Sequence, residues 1–318
     1  MLSKFAFAFV IIVLSLMGPC YGALQVGFYK GKCGFKDVES IVRNEVNAKL
    51  AKDSSNVPAL LRLQFQDCFV TGCDASILLN GISSEKTAPQ NLGVRGYDVI
   101  DAAKATIEKE CPGLVSCADI ISMATRDAIS WAGGQQYEVE TGRRDGFVSL
   151  AQNVNLPSPS ISVSDSIAAF AKHNLTTTDM VYLLGAHTVG VTKCNIIQDN
   201  LYNFQSTGKP TSNMDPILLK QLQSQCPQAS ASNVTINLDQ VTPDIIDKSY
   251  YRQIIARRGI LQIDQQLALD PLTKHIVTRV SSEPDFLYKF GQAMVKLGKI
   301  QVLTGTEGEI RKTCGVVN

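Results

Sequence analysis

Residues 62–76 read Arg-Leu-Gln-Phe-Gln-Asp-Cys-Phe-Val-Thr-Gly-Cys-Asp-Ala-Ser. Within this short span an arginine and two glutamines precede a series of carboxylate, hydroxyl and cysteine side chains. Cys68 and Cys73 lie close enough in the sequence for a tight loop to pair them. The stretch therefore combines a structural constraint with a dense set of polar groups, and it is a candidate functional site.

The oxygen-bearing part of this stretch suits a hard cation. Carboxylates and a hydroxyl alternate with residues whose backbone carbonyls can turn inward, and the series is Asp67, Val70, Gly72, Asp74 and Ser76. Calcium takes roughly six to eight oxygen ligands from a curved backbone, and a Cys68–Cys73 bridge would hold that curve. The spacing matches no ordinary calcium-loop signature, so a solvated, aspartate-rich turn is the alternative interpretation.

The N-terminus has the pattern of an export signal. Lys4 precedes an apolar run from Phe5 to Leu16, and the small residues Cys20 and Gly22 stand at positions −3 and −1 of a cut after residue 22. An apolar run of about a dozen residues is shorter than the roughly twenty that span a bilayer, which disfavours a membrane anchor. We predict a cleaved signal at residues 1–22 and one domain at residues 23–318, without stable membrane insertion.

Composition narrows the classes of protein to which the chain can belong. Without the signal, 29 basic residues balance 29 acidic ones, and eight of the nine cysteines remain. The neutral balance argues against a nucleic-acid partner. Eight cysteines in an exported chain suggest four disulfides, although counting alone cannot choose their connectivity. Asn174 and Asn233 each begin an acceptor triplet for N-linked glycans.

Hydrophobic periodicity predicts a mainly α-helical fold. Apolar residues recur at helical spacing over Phe35–Leu50, Tyr97–Ile107, Ala118–Ile129, Val163–Ala171, Met180–Leu184, Ile217–Leu222, Tyr250–Ile255 and Phe286–Leu297. Loops rich in Gly and Pro separate them at Gly81–Gly93, Gly133–Pro159 and Gln205–Pro216. No interdomain linker stands out, so we predict one compact unit with two helical halves.

His187 is the best candidate for an iron ligand. It lies in Leu184-Gly185-Ala186-His187-Thr188-Val189-Gly190, at the end of an apolar run, where a lone histidine is more often a hydrogen-bonded core residue. The chain has only three histidines, and the surroundings of His173 and His275 are more polar. A haem that needs one imidazole would therefore use His187.

The chain resembles the secretory plant peroxidases (class III haem peroxidases) from Val26-Gly27-Phe28-Tyr29 to Arg311-Lys312-Thr313-Cys314. The motifs that carry the resemblance are Arg62–Ser76, Val115-Ser116-Cys117-Ala118-Asp119, Gly142-Arg143-Arg144-Asp145, Leu156-Pro157-Ser158-Pro159, Ala186-His187-Thr188 and Thr242-Pro243-Asp244-Ile245-Ile246-Asp247. Each motif is weak alone, but their order and spacing are hard to obtain by chance.

The resemblance implies one b-type haem between distal and proximal helical halves. His187 would be the axial iron ligand with Asp264 as acceptor for its other ring nitrogen, and Phe65 would contact the haem. Arg62 and Asn91 match distal catalytic residues, and Pro157 matches a proline near the docking site of reducing substrates. Asp119 and Arg143 match a buried ion pair.

Disulfides and calcium ligands are also implied by the resemblance. The pairs would be Cys33–Cys111, Cys68–Cys73, Cys117–Cys314 and Cys194–Cys226. A distal calcium would use Asp67, Val70, Gly72, Asp74 and Ser76, with Glu85 acting through water. A proximal calcium would use Thr188, Asp239, Thr242, Ile245 and Asp247.

Gln66 is the departure from the family pattern. Relatives normally have a histidine at this position, which moves protons while hydrogen peroxide is cleaved. A glutamine amide offers hydrogen bonds but cannot hold that proton. Gln64 likewise replaces a residue that is often histidine, and Asn91 would face an amide, with an amide-to-amide hydrogen bond as one arrangement.

The expected function is a secreted, monomeric haem peroxidase of the extracellular space or cell wall. It would reduce hydrogen peroxide and oxidise small phenolic donors, with a slowed first step. The alternative is a catalytically silent haem-binding or wall-associated protein on the same scaffold, and a purely structural, disulfide-stapled protein is a third interpretation.

Overall fold

A computed structural model describes residues 23–228 and 234–318 of the chain. The predicted signal at residues 1–22 and the acceptor Asn233 lie outside these described residues. The α-helices within them are α1 Val38–Leu50, α2 Asn56–Cys68, α3 Tyr97–Glu110, α4 Cys117–Trp131, α5 Val163–Ala171, α6 Thr177–Leu184, α7 Cys194–Tyr202, α8 Pro216–Gln225, α9 Ser249–Ile255, α10 Gln262–Leu269, α11 Lys274–Ser282 and α12 Phe286–Leu297.

Strands are few and short in the described part of the chain. β1 Gln25–Val26 pairs antiparallel with β2 Glu140–Thr141, and β3 Val191–Lys193 pairs antiparallel with β4 Thr235–Asn237. The mainly α-helical prediction is therefore confirmed.

The helices form the two predicted halves. In the first half, α1 packs on α3 and α4, and α2 packs on α4, where the Thr125 hydroxyl donates to the Leu60 carbonyl at 3.2 Å. In the second half, α6 packs on α12, and α9 packs on α10 and α11. Loops between α4 and α5 connect the halves and carry β2.

The predicted helix boundaries fail at the first helix. Phe35 is fully exposed, and α1 begins at Val38 because the side chain of Asp37 accepts a hydrogen bond from the Glu39 amide at 3.1 Å and caps the helix. Sequence periodicity also misses α2, α7, α10 and α11. In α2 the buried face includes Gln64, Gln66 and Asp67, so an apolar pattern cannot reveal it.

Four disulfides join the residue pairs that the resemblance implied. They are Cys33–Cys111, Cys68–Cys73, Cys117–Cys314 and Cys194–Cys226. Cys117–Cys314 closes a span of 197 residues between the start of α4 and the C-terminal segment. Cys68–Cys73 closes the loop that follows α2, as the quoted stretch predicted.

The ion pair of Asp119 and Arg143 is buried as predicted. Arg143 Nη1 lies 2.8 Å from Asp119 Oδ1, and both side chains are at most 2% exposed. Asp119 Oδ2 also accepts from the Tyr29 hydroxyl at 2.6 Å, and Arg143 Nε donates to the Gly298 carbonyl at 2.9 Å. The pair therefore ties α4 and the β2 loop to the end of α12.

Replacing Asp119 by Asn should destabilise the protein by about 3–5 kcal/mol, because it leaves the buried Arg143 charge without its counter-ion. The matched control is Asp98→Asn, which breaks the exposed Lys49–Asp98 pair (2.7 Å). That control should cost at most about 1 kcal/mol. Urea unfolding with the disulfides intact measures both, and equal losses would contradict the assigned importance of the buried pair.

Candidate active site

His187 lies in a short 3-10 turn, Gly185–Thr188, directly after α6. The helix begins with a capping box in which Thr176 and Asp179 satisfy each other's backbone amides. Gly185 allows the turn to approach α9, because a Cβ at that position would lie 2.3 Å from the Tyr251 hydroxyl oxygen. The position of the imidazole is therefore fixed by helix capping on one side and close packing on the other.

His187 and Asp264 are brought together, as the resemblance implied. His187 Nδ1 lies 2.8 Å from Asp264 Oδ1, and the hydroxyl of Tyr250 donates to the same oxygen at 2.9 Å. The Asp264 side chain is 2% exposed and that of His187 is 29% exposed. With Nδ1–H donating to the carboxylate, Nε2 keeps its lone pair free for a metal. Sequence reasoning missed Tyr250, for which spacing gives no signal.

One face of α2 carries the predicted distal residues. Arg62 Nη2 donates to the Gln90 carbonyl at 3.0 Å, and Gln66 Nε2 donates to the same carbonyl at 3.3 Å. Phe65 is half-buried and stacks on Phe69 with ring centroids 4.3 Å apart. Arg62 and Gln66 are thus held side by side by one backbone oxygen.

Asn91 is held in place by the backbone of Glu85, and no hydrogen bond joins it to Gln66. Its Nδ2 donates to the Glu85 carbonyl at 2.8 Å, while its Oδ1 is buried and has no partner among the described residues. Gln66 Oε1 is likewise buried and unpartnered within that part of the chain. The amide-to-amide hydrogen bond considered from the sequence is therefore not formed, and Gln66 Nε2 donates to the Gln90 carbonyl instead.

Gln64 points away from the Arg62–Gln66 face. Together with Ser122, Tyr137, Arg143 and Gly298 it lines a separate small cavity. Residues two apart on an α-helix project about 200° apart, so positions 64 and 66 belong to different environments.

Close contacts join the segment after His187 to α2 and the loop that contains Pro157 to α10. Gly190 has φ +92°, and a Cβ there would lie 2.8 Å from Cβ of Pro58 in α2. Pro157 is half-buried in the loop before α5, and the Pro159 carbonyl of that loop accepts from the Ile263 amide at 3.1 Å. Ile263 precedes Asp264, so this loop is attached to the helix that orients His187.

The predicted distal calcium residues form a buried acidic cluster. Asp67, Asp74 and Glu85 are at most 7% exposed. Asp67 Oδ1 and both carboxylate oxygens of Glu85 are buried and lack partners among the described residues. Burial, and then the charges of Asp74 and Glu85, raise the pKa of Asp67 well above its ordinary value. Burial raises the pKa of Glu85 to about 7. Unpartnered oxygens among mutually repelling carboxylates fit a cation.

The backbone of this loop has positive φ at two positions and holds the carboxylates of Asp67 and Asp74 through its amides. Gly72 has φ +110°, and a Cβ there would lie 2.4 Å from the Gln301 carbonyl oxygen. Ala75 has φ 59°, which costs an L-residue about 1–2 kcal/mol. The Ala75 amide donates to Asp67 Oδ2 at 3.1 Å, and the Ser76 amide donates to Asp74 Oδ1 at 3.0 Å. Val70 lies at the end of α2 in the same loop.

The predicted proximal calcium residues also converge. Thr188 Oγ1 donates to the Ile245 carbonyl at 3.1 Å and lies 3.5 Å from Asp247 Oδ1. Thr242 Oγ1 lies 3.2 Å from Asp247 Oδ1 and 3.4 Å from Asp239 Oδ2. Within residues 23–228 and 234–318, no three His, Cys, Asp or Glu side chains converge as a metal site built from such side chains alone would require. Both clusters instead mix carboxylates with hydroxyls and carbonyls, as calcium sites do.

Comparisons with known proteins agree with this geometry. A family model described as peroxidase matches residues 42–283. Peroxidase 60 of Arabidopsis thaliana is 50% identical over 307 residues, covering 95% of this chain and 92% of that protein. Peroxidase 57 and probable peroxidase 26 of the same plant are 45% and 44% identical, and they match 97% and 95% of this chain over 97% and 92% of their own lengths.

The chain therefore belongs to the peroxidase family, among the class III plant haem peroxidases. Family membership makes it a haem peroxidase, an enzyme that reduces hydrogen peroxide at the expense of a reductant. Haem and calcium are the general cofactors of that family.

Replacing Glu85 by Gln should have opposite effects on the calcium-free and calcium-loaded protein. Without calcium the variant should unfold at a higher temperature, because one of three buried, repelling carboxylates is neutralised. Calcium should raise the unfolding temperature of the variant by less than it raises that of the native protein. Thermal unfolding at pH 8 in a chelator and in excess calcium measures both effects.

The pH dependence of this comparison follows from Glu85, whose pKa is raised to about 7. Because the pKa of Glu85 is raised in the folded protein, the folded state holds this proton more tightly than the unfolded chain does. The calcium-free native protein should therefore lose stability as the pH rises from the ordinary carboxyl pKa toward 7. Below that pH the advantage of the variant should shrink. Glu138→Gln, at an exposed position, is the control. Equal destabilisation of both forms by Glu85→Gln would contradict a cation site.

Proposed function

We propose that this protein is an exported, monomeric peroxidase that binds one haem b and two calcium ions and oxidises small phenolic donors, with a slowed reaction at hydrogen peroxide. The observation that carries the proposal is the His187–Asp264 hydrogen bond of 2.8 Å, which orients the imidazole and leaves Nε2 available. Arg62 and Gln66 on α2 are the distal counterpart. When bound, haem supplies the iron at which hydrogen peroxide is reduced.

The residues present fit a haem. His187 supplies one imidazole nitrogen whose ring is oriented by Asp264, as axial ligation requires. The half-buried Phe65, on α2, would supply an apolar contact to the haem. Gln66 Oε1 and Asn91 Oδ1 are buried acceptors without a hydrogen-bond partner among the described residues. This face therefore has polar atoms that are available to a bound molecule.

Arg62 would retain its part of the reaction. Its Nη2 is anchored by the Gln90 carbonyl at 3.0 Å, which fixes the guanidinium on the distal face. Desolvation lowers the pKa of Arg62, but an arginine stays protonated in proteins. A fixed cation of this kind stabilises negative charge that develops on a cleaved oxygen–oxygen bond. The electrostatic contribution to catalysis is therefore present.

Gln66 would not replace the missing proton carrier. Its Nε2–H donates to the Gln90 carbonyl at 3.3 Å, and its Oε1 can only accept a hydrogen bond. Neither atom takes up a proton at ordinary pH. A positioned acid–base group typically contributes about 100- to 10,000-fold, so the loss slows peroxide cleavage without preventing haem binding.

Calcium supports both halves of this site. The distal cluster includes Glu85, whose backbone carbonyl holds Asn91, and the proximal cluster includes Thr188, the residue after His187. Each ion would therefore stabilise the segment that positions one side of the haem. Pro157, half-buried beside the helix of Asp264, is the proposed contact for phenolic donors.

Export to the extracellular space or cell wall is supported by the basic and apolar pattern of residues 1–22 and by four disulfides, which persist in oxidising compartments. No helix among the described residues is both long and apolar enough to cross a membrane. Asn174, the acceptor predicted from the sequence, is exposed in a turn with φ 59°.

A second candidate function is a catalytically silent haem protein. The observation that favours it is the absence of an imidazole at the distal face. Of the three histidines, His187 pairs with Asp264, His173 packs against the ring of Phe69, and His275 is exposed on α11. Arg62 and the complete proximal arrangement favour the enzyme.

Replacing Gln66 by His should accelerate hydrogen peroxide consumption by about 100- to 10,000-fold, because an acid–base group is restored. Asn91 Oδ1, buried and unpartnered, would be available to orient the new imidazole. Stopped-flow measurement of the haem spectrum after mixing with peroxide gives the rate. Gln64→His is the matched control: it adds the same ring in the cavity near Gly298, and its rate should stay unchanged. Equal rates for the native protein and Gln66→His would refute the proton-transfer argument.

Replacing His187 by Ala should abolish stable haem retention, because the only oriented imidazole nitrogen is removed. The ratio of Soret to protein absorbance after gel filtration of calcium-loaded protein measures retention. His275→Ala, at an exposed position, is the control and should keep the native ratio. A variant at position 187 that kept the native spectrum would disprove the ligand assignment.

A further inference from the structure

We infer that Tyr250 is a positioning residue that weakens the electron donation of His187 to bound iron, by sharing the carboxylate oxygen that accepts from His187. The inference rests on the proposed haem function. Tyr250 lies in α9, and its hydroxyl acts on His187 through Asp264.

Both donors meet at one atom. His187 Nδ1 lies 2.8 Å and the Tyr250 hydroxyl 2.9 Å from Asp264 Oδ1. Nothing else on α9 approaches this oxygen within hydrogen-bond distance in the described part of the chain. Asp264 is 1% exposed, so water does not compete for it as it would at a surface carboxylate.

Sharing the oxygen changes the histidine. A carboxylate that accepts from Nδ1–H draws that proton toward itself, which makes the opposite nitrogen, Nε2, a stronger donor to a metal. A second donor on the same oxygen withdraws part of its negative charge, and the pull on Nδ1–H falls. In a dry environment this effect is larger than in water.

The geometry of Tyr250 is rigid. Its side chain is buried, with 1% exposure of the residue. Its ring meets the His187 ring edge-on at 6.2 Å and the Tyr251 ring at 5.0 Å. The hydroxyl therefore cannot turn to another acceptor without disturbing three packed rings.

Tyr251 offers a matched control one residue along the same helix. It is also fully buried, but its hydroxyl donates to the Val181 carbonyl at 2.9 Å instead of to Asp264. Tyr250→Phe and Tyr251→Phe each remove one oxygen and one buried hydrogen bond. They differ in whether the bond leads to His187.

The experiment uses haem-loaded, calcium-loaded protein. Resonance Raman spectroscopy of the ferrous form measures the iron–histidine stretching frequency, and a redox titration measures the midpoint potential of the iron. Tyr250→Phe should raise the frequency and make the potential more negative, because His187 gains basicity. Tyr251→Phe should leave both at the native values. A Tyr250→Phe protein indistinguishable from the native protein in both measurements overturns the inference.

A second variant tests the inference if Tyr250→Phe folds poorly. Incorporating 3-fluorotyrosine at position 250 keeps the ring and hydroxyl but makes the phenol a stronger donor, so the frequency should shift downward. An upward shift or no shift overturns the inference. A native protein that shows no Soret band instead refutes the proposed haem function, and so the two failures are distinguishable.

Discussion

The proximal half of the molecule depends on one buried carboxylate. Asp264 is 1% exposed, and an isolated charge at such depth is strongly unfavourable unless hydrogen bonds compensate it. Those bonds come from His187 and Tyr250, which lie on separate elements, so α9, α10 and the turn after α6 must meet within hydrogen-bond distance. Gly185 permits that meeting, since any larger residue would collide with Tyr251. Satisfying one charge thus fixes the imidazole that a haem would use.

In the distal half the constraint is repulsion among acidic groups. Asp67, Asp74 and Glu85 are buried close together, and burial raises the pKa of each of them. Burying charged carboxylates together is unfavourable, and their oxygens are of the type that a cation such as calcium binds. The Cys68–Cys73 bridge and the left-handed backbone at Ala75 hold the oxygens in position before an ion arrives.

Sequence reasoning named most residues of the candidate site but not the hydrogen bonds that join them. Apolar spacing gave α5 and α12 with correct bounds, because each presents one apolar face to the core. It missed α2, where Gln64, Gln66 and Asp67 are buried for chemical reasons that periodicity does not encode. His187 could be selected because few histidines compete, whereas Asp264 needed the family resemblance. Tyr250 had no signal at all: its role depends on a shared oxygen, which only three-dimensional proximity reveals.

Gln66 offers hydrogen bonds but no group that takes up a proton, and it fits into the hydrogen-bonded framework around it. Gln66 satisfies its own Nε2 on the Gln90 carbonyl, the same oxygen that anchors Arg62, so the arginine keeps a fixed position. Asn91 remains tied to the Glu85 carbonyl, with its Oδ1 buried and without a donor in the described part of the chain. The path of hydrogen bonds that begins at the Glu85 carbonyl therefore stops at Asn91. In the proposed function, a histidine at position 66 would extend this path by one bond and would link the acidic cluster, the Asn91 amide and a distal acid–base group.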